Sequence, residues 1–206
     1  MAGLPAGLRA LHDDLQSLQP LEPAGYLARD ILRADRLDRE LYRFRSGRQH
    51  PHQGASLGRR GKRGAFAQAI GRSRGGRTTK IHALTDARGR PVALTLTPGN
   101  AHDLDGAFDL LALVPTPRRL IADRAYDARR LREWLQRRGA EAVIPPNPTR
   151  KHPHAYNAKA YKSRNLIERM FCRLKDFRRV ATRYNKLARN FIAGALIAAT
   201  VVWWCN

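Results

Sequence analysis

Two carboxylates stand out in this chain by their settings. Glu168 lies in the segment Tyr161-Lys162-Ser163-Arg164-Asn165-Leu166-Ile167-Glu168, which continues to Lys175. On a helix turning about 100° per residue, Tyr161, Arg164, Glu168 and Lys175 fall within an arc of about 60°. Leu166, Ile167, Met170, Phe171, Leu174 and Phe177 occupy a separate arc, so one face is predicted to be buried and the other to present a carboxylate among two cations and a phenol. An ordinary i, i+4 ion pair would need neither the tyrosine nor the second cation. Asp123 closes the apolar run Leu120-Ile121-Ala122. A residue there emerges at the end of a strand, where open α/β sheets form their ligand crevice. The bland alternative, an N-cap before Ala125, is weakened by Asp127, which is better placed to cap the next helix. His50-Pro51-His52 has no cysteine or acid beside it to complete a metal site.

The elements that must position these groups can be read in order. Residues 1–40 read as one or two short helices, with Leu8, Leu11, Leu15 and Leu18 at helical spacing and Pro20 and Pro23 as breakers. Residues 41–80 form a basic, Gly-rich arm, since no Asp or Glu occurs from Leu41 to Thr85. Thr78 to Thr85 and Pro91 to Thr97 alternate in β-branched and apolar residues about Asp86-Ala87-Arg88-Gly89-Arg90, the signature of a hairpin. A helix over Asp103 to Val114, a strand over Arg119 to Ala122, a helix over Ala128 to Arg138 and a strand over Ala142 to Ile144 follow. Asn147 to His154 is a loop, and one long helix is expected from Ala160 to Tyr184, which contains no Gly or Pro. The fold class is therefore α/β, a ribonuclease H-like mixed sheet flanked by helices, with residues 41–206 as the core and 1–40 as a helical appendage.

Composition narrows the partner. With 39 Lys and Arg against 17 Asp and Glu, the 206-residue chain carries a formal charge of +22. A polyanion is the natural ligand, and double-stranded DNA fits best because each neutralised phosphate releases counterions. Only Cys172 and Cys205 are present, which excludes a disulfide framework and a zinc module and points to a reducing compartment. The apolar run Phe191 to Trp204 is shorter than the roughly 20 residues a membrane-spanning helix needs, so it reads as a buried closing helix. The first residues lack the pattern of an export signal.

The spacing Tyr161, Arg164, Glu168, Lys175 resembles that of a large group of bacterial insertion-sequence transposases with an Asp-Asp-Glu triad. The resemblance extends to Ile70 through His82, Thr97-Pro98-Gly99-Asn100-Ala101-His102-Asp103, Leu120 through Asp127, and Ala181-Thr182-Arg183-Tyr184, covering roughly residues 48 to 204. It implies that Asp123 and Glu168 are the second and third catalytic carboxylates. They would hold Mg²⁺, with Mn²⁺ as an alternative, in a two-metal site of about 3.5–4 Å spacing that drives strand cleavage and strand transfer. Tyr161, Arg164 and Lys175 would position the DNA backbone at element ends and target. It also implies a cytoplasmic, nucleoid-associated protein and leaves a homo-oligomer open.

The first carboxylate breaks the pattern. Counting back from Arg48-Gln49-His50-Pro51-His52 lands on Arg43. The nearest upstream acids are Asp35, Asp38 and Glu40, while Asp86 reads as a turn residue. The residues before Arg48 do not resemble the family, as expected of a truncated or frame-shifted copy. Three functions compete: an active transposase, an inactive DNA-binding remnant of one, and a basic RNA- or ribosome-binding protein. The last leaves Asp123 and Glu168 unexplained.

Overall fold

Alternating side chains and a tight turn make the hairpin the clearest element of the sheet. Strands β3 (Gly76–Thr85) and β4 (Pro91–Pro98) pair antiparallel. In the turn between them Asp86 Oδ1 accepts from the backbone N–H groups of Arg88 and Arg90, each at 2.9 Å. Gly89 supplies the φ of +79° that the turn requires. Asp86 is thus the turn residue its sequence context predicts. The computed structural model describes residues 40–51, 68–74 and 76–205. The helices expected before residue 40, the arm over 52–67, and Asp35, Asp38 and His52 lie outside the described residues.

The first correction concerns the basic arm. Residues 42–51 form β1 (Tyr42–Pro51), the central strand, which pairs antiparallel with β3 and parallel with β5 (Arg119–Ala122). A short β2 (Gly71–Ser73) pairs with the start of β3, and β6 (Glu141–Val143) pairs parallel with β5. Tyr42-Arg43-Phe44-Arg45 alternates at the period of a strand, and charge density masked that alternation. Tyr42 and Phe44 are buried on one face, and the arginines between them point to the other.

Helices cover both faces, as a mixed sheet with buried central strands requires. Helices α1 (Asp103–Leu111) and α2 (Arg129–Arg137) pack Leu110, Leu131 and Leu135 against Tyr42, Phe44, Leu84 and Leu120. A Cβ added at Gly106 would lie 2.4 Å from the His82 ring, so only glycine lets α1 approach β3 this closely. The opposite face joins Ile81, Ala83, Leu94 and Leu96 to Ile167, Met170 and Leu174 of α4 (Asn165–Lys175) and to Phe191, Ile192 and Ala195 of α6 (Ala188–Trp203). Helix α6 is the closing helix expected, and no helix of the described residues is long and apolar enough to cross a membrane.

The second correction concerns the long helix expected over residues 160–184. It begins as α3 (Ala158–Tyr161), tightens into a 3₁₀ turn over Lys162–Arg164, and continues as α4 only to Lys175. Phe177 is extended and 38% exposed, not part of the buried stripe. A short α5 (Arg178–Ala181) then leads to β7 (Thr182–Arg183), which pairs with the end of β1, His50 to Thr182 and Pro51 to Arg183. Nothing local breaks the helix. Pairing with β1 and the partners gained by Arg183 outweigh the few helical hydrogen bonds given up.

Candidate functional site

The parallel pairing of β1 and β5 sets the site. Arg43 lies beside Ile121 and Phe44 beside Ala122, so one further residue brings Arg45 level with Asp123. Asp123 follows the last residue of β5 with an extended backbone, and its Oδ1 accepts from the Ala125 N–H at 3.0 Å, starting a 3₁₀ turn over Arg124–Tyr126. The turn is anchored by Tyr126, fully buried with its ring edge-on to Phe44 at 4.5 Å. The capping role set aside on sequence grounds is therefore real, and Asp123 keeps its second oxygen for other partners. Asp127 does not cap α2; its carboxylate instead receives Arg132, Arg150 and the Asn147 N–H.

Glu168 sits in the first turn of α4, with Oε1 2.5 Å from Arg45 Nη1 and 2.9 Å from Arg164 Nη2. The Arg164 guanidinium lies 5.3 Å from the centroid of the Tyr161 ring. Burial raises the Asp123 carboxyl above its usual range; the Ala125 N–H and the charges of Arg164 and Arg45 act against this, while that of Asp103 adds to it. The Tyr161 phenol is also raised, first by desolvation, with Arg164 lowering it and Asp123, Tyr156 and Glu168 raising it. Asp123, Glu168, Arg164 and Tyr161 are therefore close enough for their charges to act on one another, and the space they border is the candidate cleft.

Two expected members stand elsewhere. Lys175 is exposed at the far end of α4, about 10 Å along the helix from Glu168 at 1.5 Å per residue. Arg43, 2% exposed, turns away from the cleft and donates from Nε to the Ser163 carbonyl at 2.8 Å and from Nη1 to those of Asp86 at 2.8 Å and Ala87 at 3.1 Å. Desolvation holds its pKa below the usual arginine range, against the pull of Asp86. The residue facing Asp123 and Glu168 from β1 is Arg45, two positions from the one that motif counting reaches. Only the register with β5 reveals this. Asp86 is bound to Arg90 in the hairpin turn, and Glu40 is paired to Arg118 before the opposite end of β5.

A second group borders the cleft. Asp103 Oδ1 receives Lys80 Nζ at 2.8 Å and Ser46 Oγ at 3.2 Å. Its charge reaches both Asp123 and Tyr126. Asp103 ends the Thr97-to-Asp103 motif, so its place in the sequence was visible although its contacts were not. His50 is exposed at the end of β1, and among the described residues no group of three or more His, Cys, Asp or Glu could hold a metal ion. Two carboxylates, one of them paired with a guanidinium whose charge also acts on the other, do not fit a pair of divalent cations. A fixed positive charge ligates no cation and repels an incoming one.

Comparison with known proteins agrees with this architecture. Residues 48–203 match the transposase DDE domain. A putative transposase for insertion sequence element IS6501 of Brucella ovis is 38% identical over 127 residues, which are 61% of this chain and 98% of that protein. A putative transposase for insertion sequence element IS402 of Burkholderia cepacia is 31% identical over 137 residues, and the chain covers 63% of it. A chain of the simian T-cell lymphotropic virus intasome, solved by cryo-EM in complex with PP2A regulatory subunit B56 gamma, matches 82% of this chain with a TM-score of 0.50 at 11% identity. That match spans 50% of the viral chain and supports the ribonuclease H-like fold alone. With the family's domain matched over residues 48–203, three quarters of the chain, and insertion-sequence transposases among its relatives, this chain belongs to the DDE transposases of bacterial insertion sequences.

Proposed function

We propose that the chain binds double-stranded DNA of a mobile element through the cleft at Asp123 and Glu168, and that as it stands it cleaves and transfers strands weakly or not at all. The observation that carries this reading is the pairing of Arg45 with Glu168, level with Asp123. Family membership implies a divalent metal for strand chemistry, Mg²⁺ or Mn²⁺ by the nature of carboxylate ligands. Asp123 and Glu168 are the residues proposed for that role, and a cation, Arg45, stands where the first acid is missing. What the cleft is equipped to do is hold phosphate. Arg45 and Arg164 offer guanidinium forks that match a phosphodiester in two hydrogen bonds, Tyr161 backs Arg164, and Lys175 extends the contact along α4. The excess of positive charge adds long-range attraction.

The test combines binding and cleavage on duplexes bearing element ends, with Mg²⁺ or Mn²⁺. Unmodified protein is expected to bind with log affinity falling steeply against log salt and to leave the strands intact. Arg45→Asp should bind Mn²⁺ measurably by calorimetry and gain cutting, which Glu168→Gln then abolishes. Robust cutting by the unmodified chain would overturn the reading. If Asp38→Ala removed that cutting, the first acid would come from upstream of β1.

A further inference from the structure

The motif Ala181-Thr182-Arg183-Tyr184 takes no part in the cleft, and the structure gives Arg183 and Tyr184 different tasks. Arg183 is fully buried. Its guanidinium donates to Thr79 Oγ1 at 2.5 Å and to the carbonyls of Gln68 at 2.9 Å, Asn185 at 3.0 Å and Lys186 at 3.1 Å. With a fifth, longer bond to the Ala69 carbonyl at 3.4 Å, all five donors are engaged, which fixes the backbone on both sides of position 183. Tyr184, the next residue, is half-buried and receives Arg178 Nε on its hydroxyl at 3.1 Å. Among the described residues Arg178, Arg179 and Tyr184 line a cavity of about 370 Å³. Neither arginine is paired with a carboxylate among the described residues, and both are exposed. The cavity is within the size range of small-ligand sites.

We propose that this cavity is a second nucleic-acid site, which takes one unpaired nucleotide of DNA. The ring of Tyr184 provides a stacking surface for a base, and Arg178 and Arg179 provide cations for its phosphate. An aromatic beside exposed guanidiniums that meet no carboxylate among the described residues is the equipment of a single-strand platform; duplex DNA keeps its bases stacked inside and has no use for the ring. The pinning by Arg183 lowers the ordering cost of binding, since the tyrosine is held before the ligand arrives. Position also supports the assignment. Pairing of His50 with Thr182 places the cavity near the end of β1, five residues beyond Arg45. At about 3.3 Å per residue the separation is about 17 Å, or roughly five base-pair steps along a duplex. One DNA molecule can therefore occupy the cleft with its backbone and reach the cavity with a frayed or overhanging end.

The experiment compares, on the full chain, a blunt duplex, the same duplex with a single-stranded overhang, and that overhang with an abasic residue at each position in turn, by fluorescence anisotropy. The unmodified chain should prefer the overhang to the blunt end by about tenfold, the scale of one stacked base, and one abasic position should abolish the preference. Tyr184→Ala should lose the preference and Tyr184→Phe should keep most of it. Arg178→Gln with Arg179→Gln should weaken overhang binding more than blunt binding and lower the salt slope for the overhang alone. Arg45→Gln should leave the preference intact, which separates this site from the cleft. Equal binding of blunt and overhanging DNA by the unmodified chain, or an equal loss on both upon Tyr184→Ala with an unchanged melting temperature, would overturn the proposal. Failure to bind any duplex would instead sink the reading of the cleft.

Discussion

Arg45, within β1, and Arg183, on the strand that pairs with the far end of β1, show two uses of one side chain. Arg183 is sealed from solvent and meets no carboxylate among the described residues; its charge is dispersed over carbonyl dipoles and the Thr79 hydroxyl, with the Phe191 ring centroid 5.2 Å from its guanidinium. Burial lowers its pKa to about 10, so it stays charged at neutral pH. Arg45 is about a third exposed and faces Glu168. A buried charge costs several kcal/mol to desolvate and persists only where nearly every donor is satisfied, so its partners become part of the fold. A half-exposed ion pair adds about 0–1 kcal/mol and is free to be exchanged for a ligand. The first arrangement holds β7, the residues before β2 and β3 together. The second sets the field in a cleft.

The largest effect expected from breaking this contrast is at Arg183. Arg183→Met should cost about 3–5 kcal/mol in urea unfolding, because the carbonyls of Gln68, Asn185 and Lys186 lose their donor in a buried setting. Arg183→Lys should recover only part of this, since an ammonium cannot span the same acceptors. A loss under 1 kcal/mol would place Arg183 in the same class as Arg45.

Next comes a buried base that can shed its charge. His82 is fully buried on β3, and its Nε2 lies 2.7 Å from Thr97 Oγ1. Desolvation pushes its pKa down to about 4, with Asp103 raising it and Lys80 lowering it. Because the folded value lies below the unfolded one near 6.5, the unfolded state binds the extra proton. The contribution is complete above about pH 6.5 and is lost as pH falls toward 4, on the order of 3 kcal/mol in all. The difference in unfolding free energy between the unmodified chain and His82→Asn, measured from pH 7 to pH 4, should trace that slope. A flat difference would mean that burial leaves the affinity of His82 for its proton unchanged.

The smallest stability effect belongs to Arg45→Gln, expected within about 1 kcal/mol of the unmodified chain because the pair is exposed and Glu168 retains Arg164. The same change should weaken duplex binding and reduce its salt slope by about one phosphate contact. A stability loss equal to that at Arg183 would erase the distinction between the two arginines.

Much of this protein was legible in one dimension. Alternation about a turn that holds both Asp86 and Gly89 marked β3 and β4, a three-residue apolar run put Asp123 at a strand end, and helical spacing placed Tyr161, Arg164 and Glu168 on one face. These are short-range properties, dictated by the period of a strand or helix and by which residues a turn accepts. What escaped was long-range. Strand β1 was hidden by its arginines, whose partners at Ser163, Asp86 and Glu168 are remote in sequence. The break after Lys175 has no local breaker and arises because β7 pairs with residues 50 and 51.

The amino-acid sequence alone determined the family, the fold class and the charge, and it singled out two carboxylates as candidates, because each is written in residue types at fixed spacing. Tertiary structure alone decided that Arg45, not Arg43, faces them. The side-chain period of a strand is two, so both arginines point to the same face, and only the parallel register with β5 and the position of α4 distinguish a guanidinium buried under the hairpin turn from one that meets Glu168.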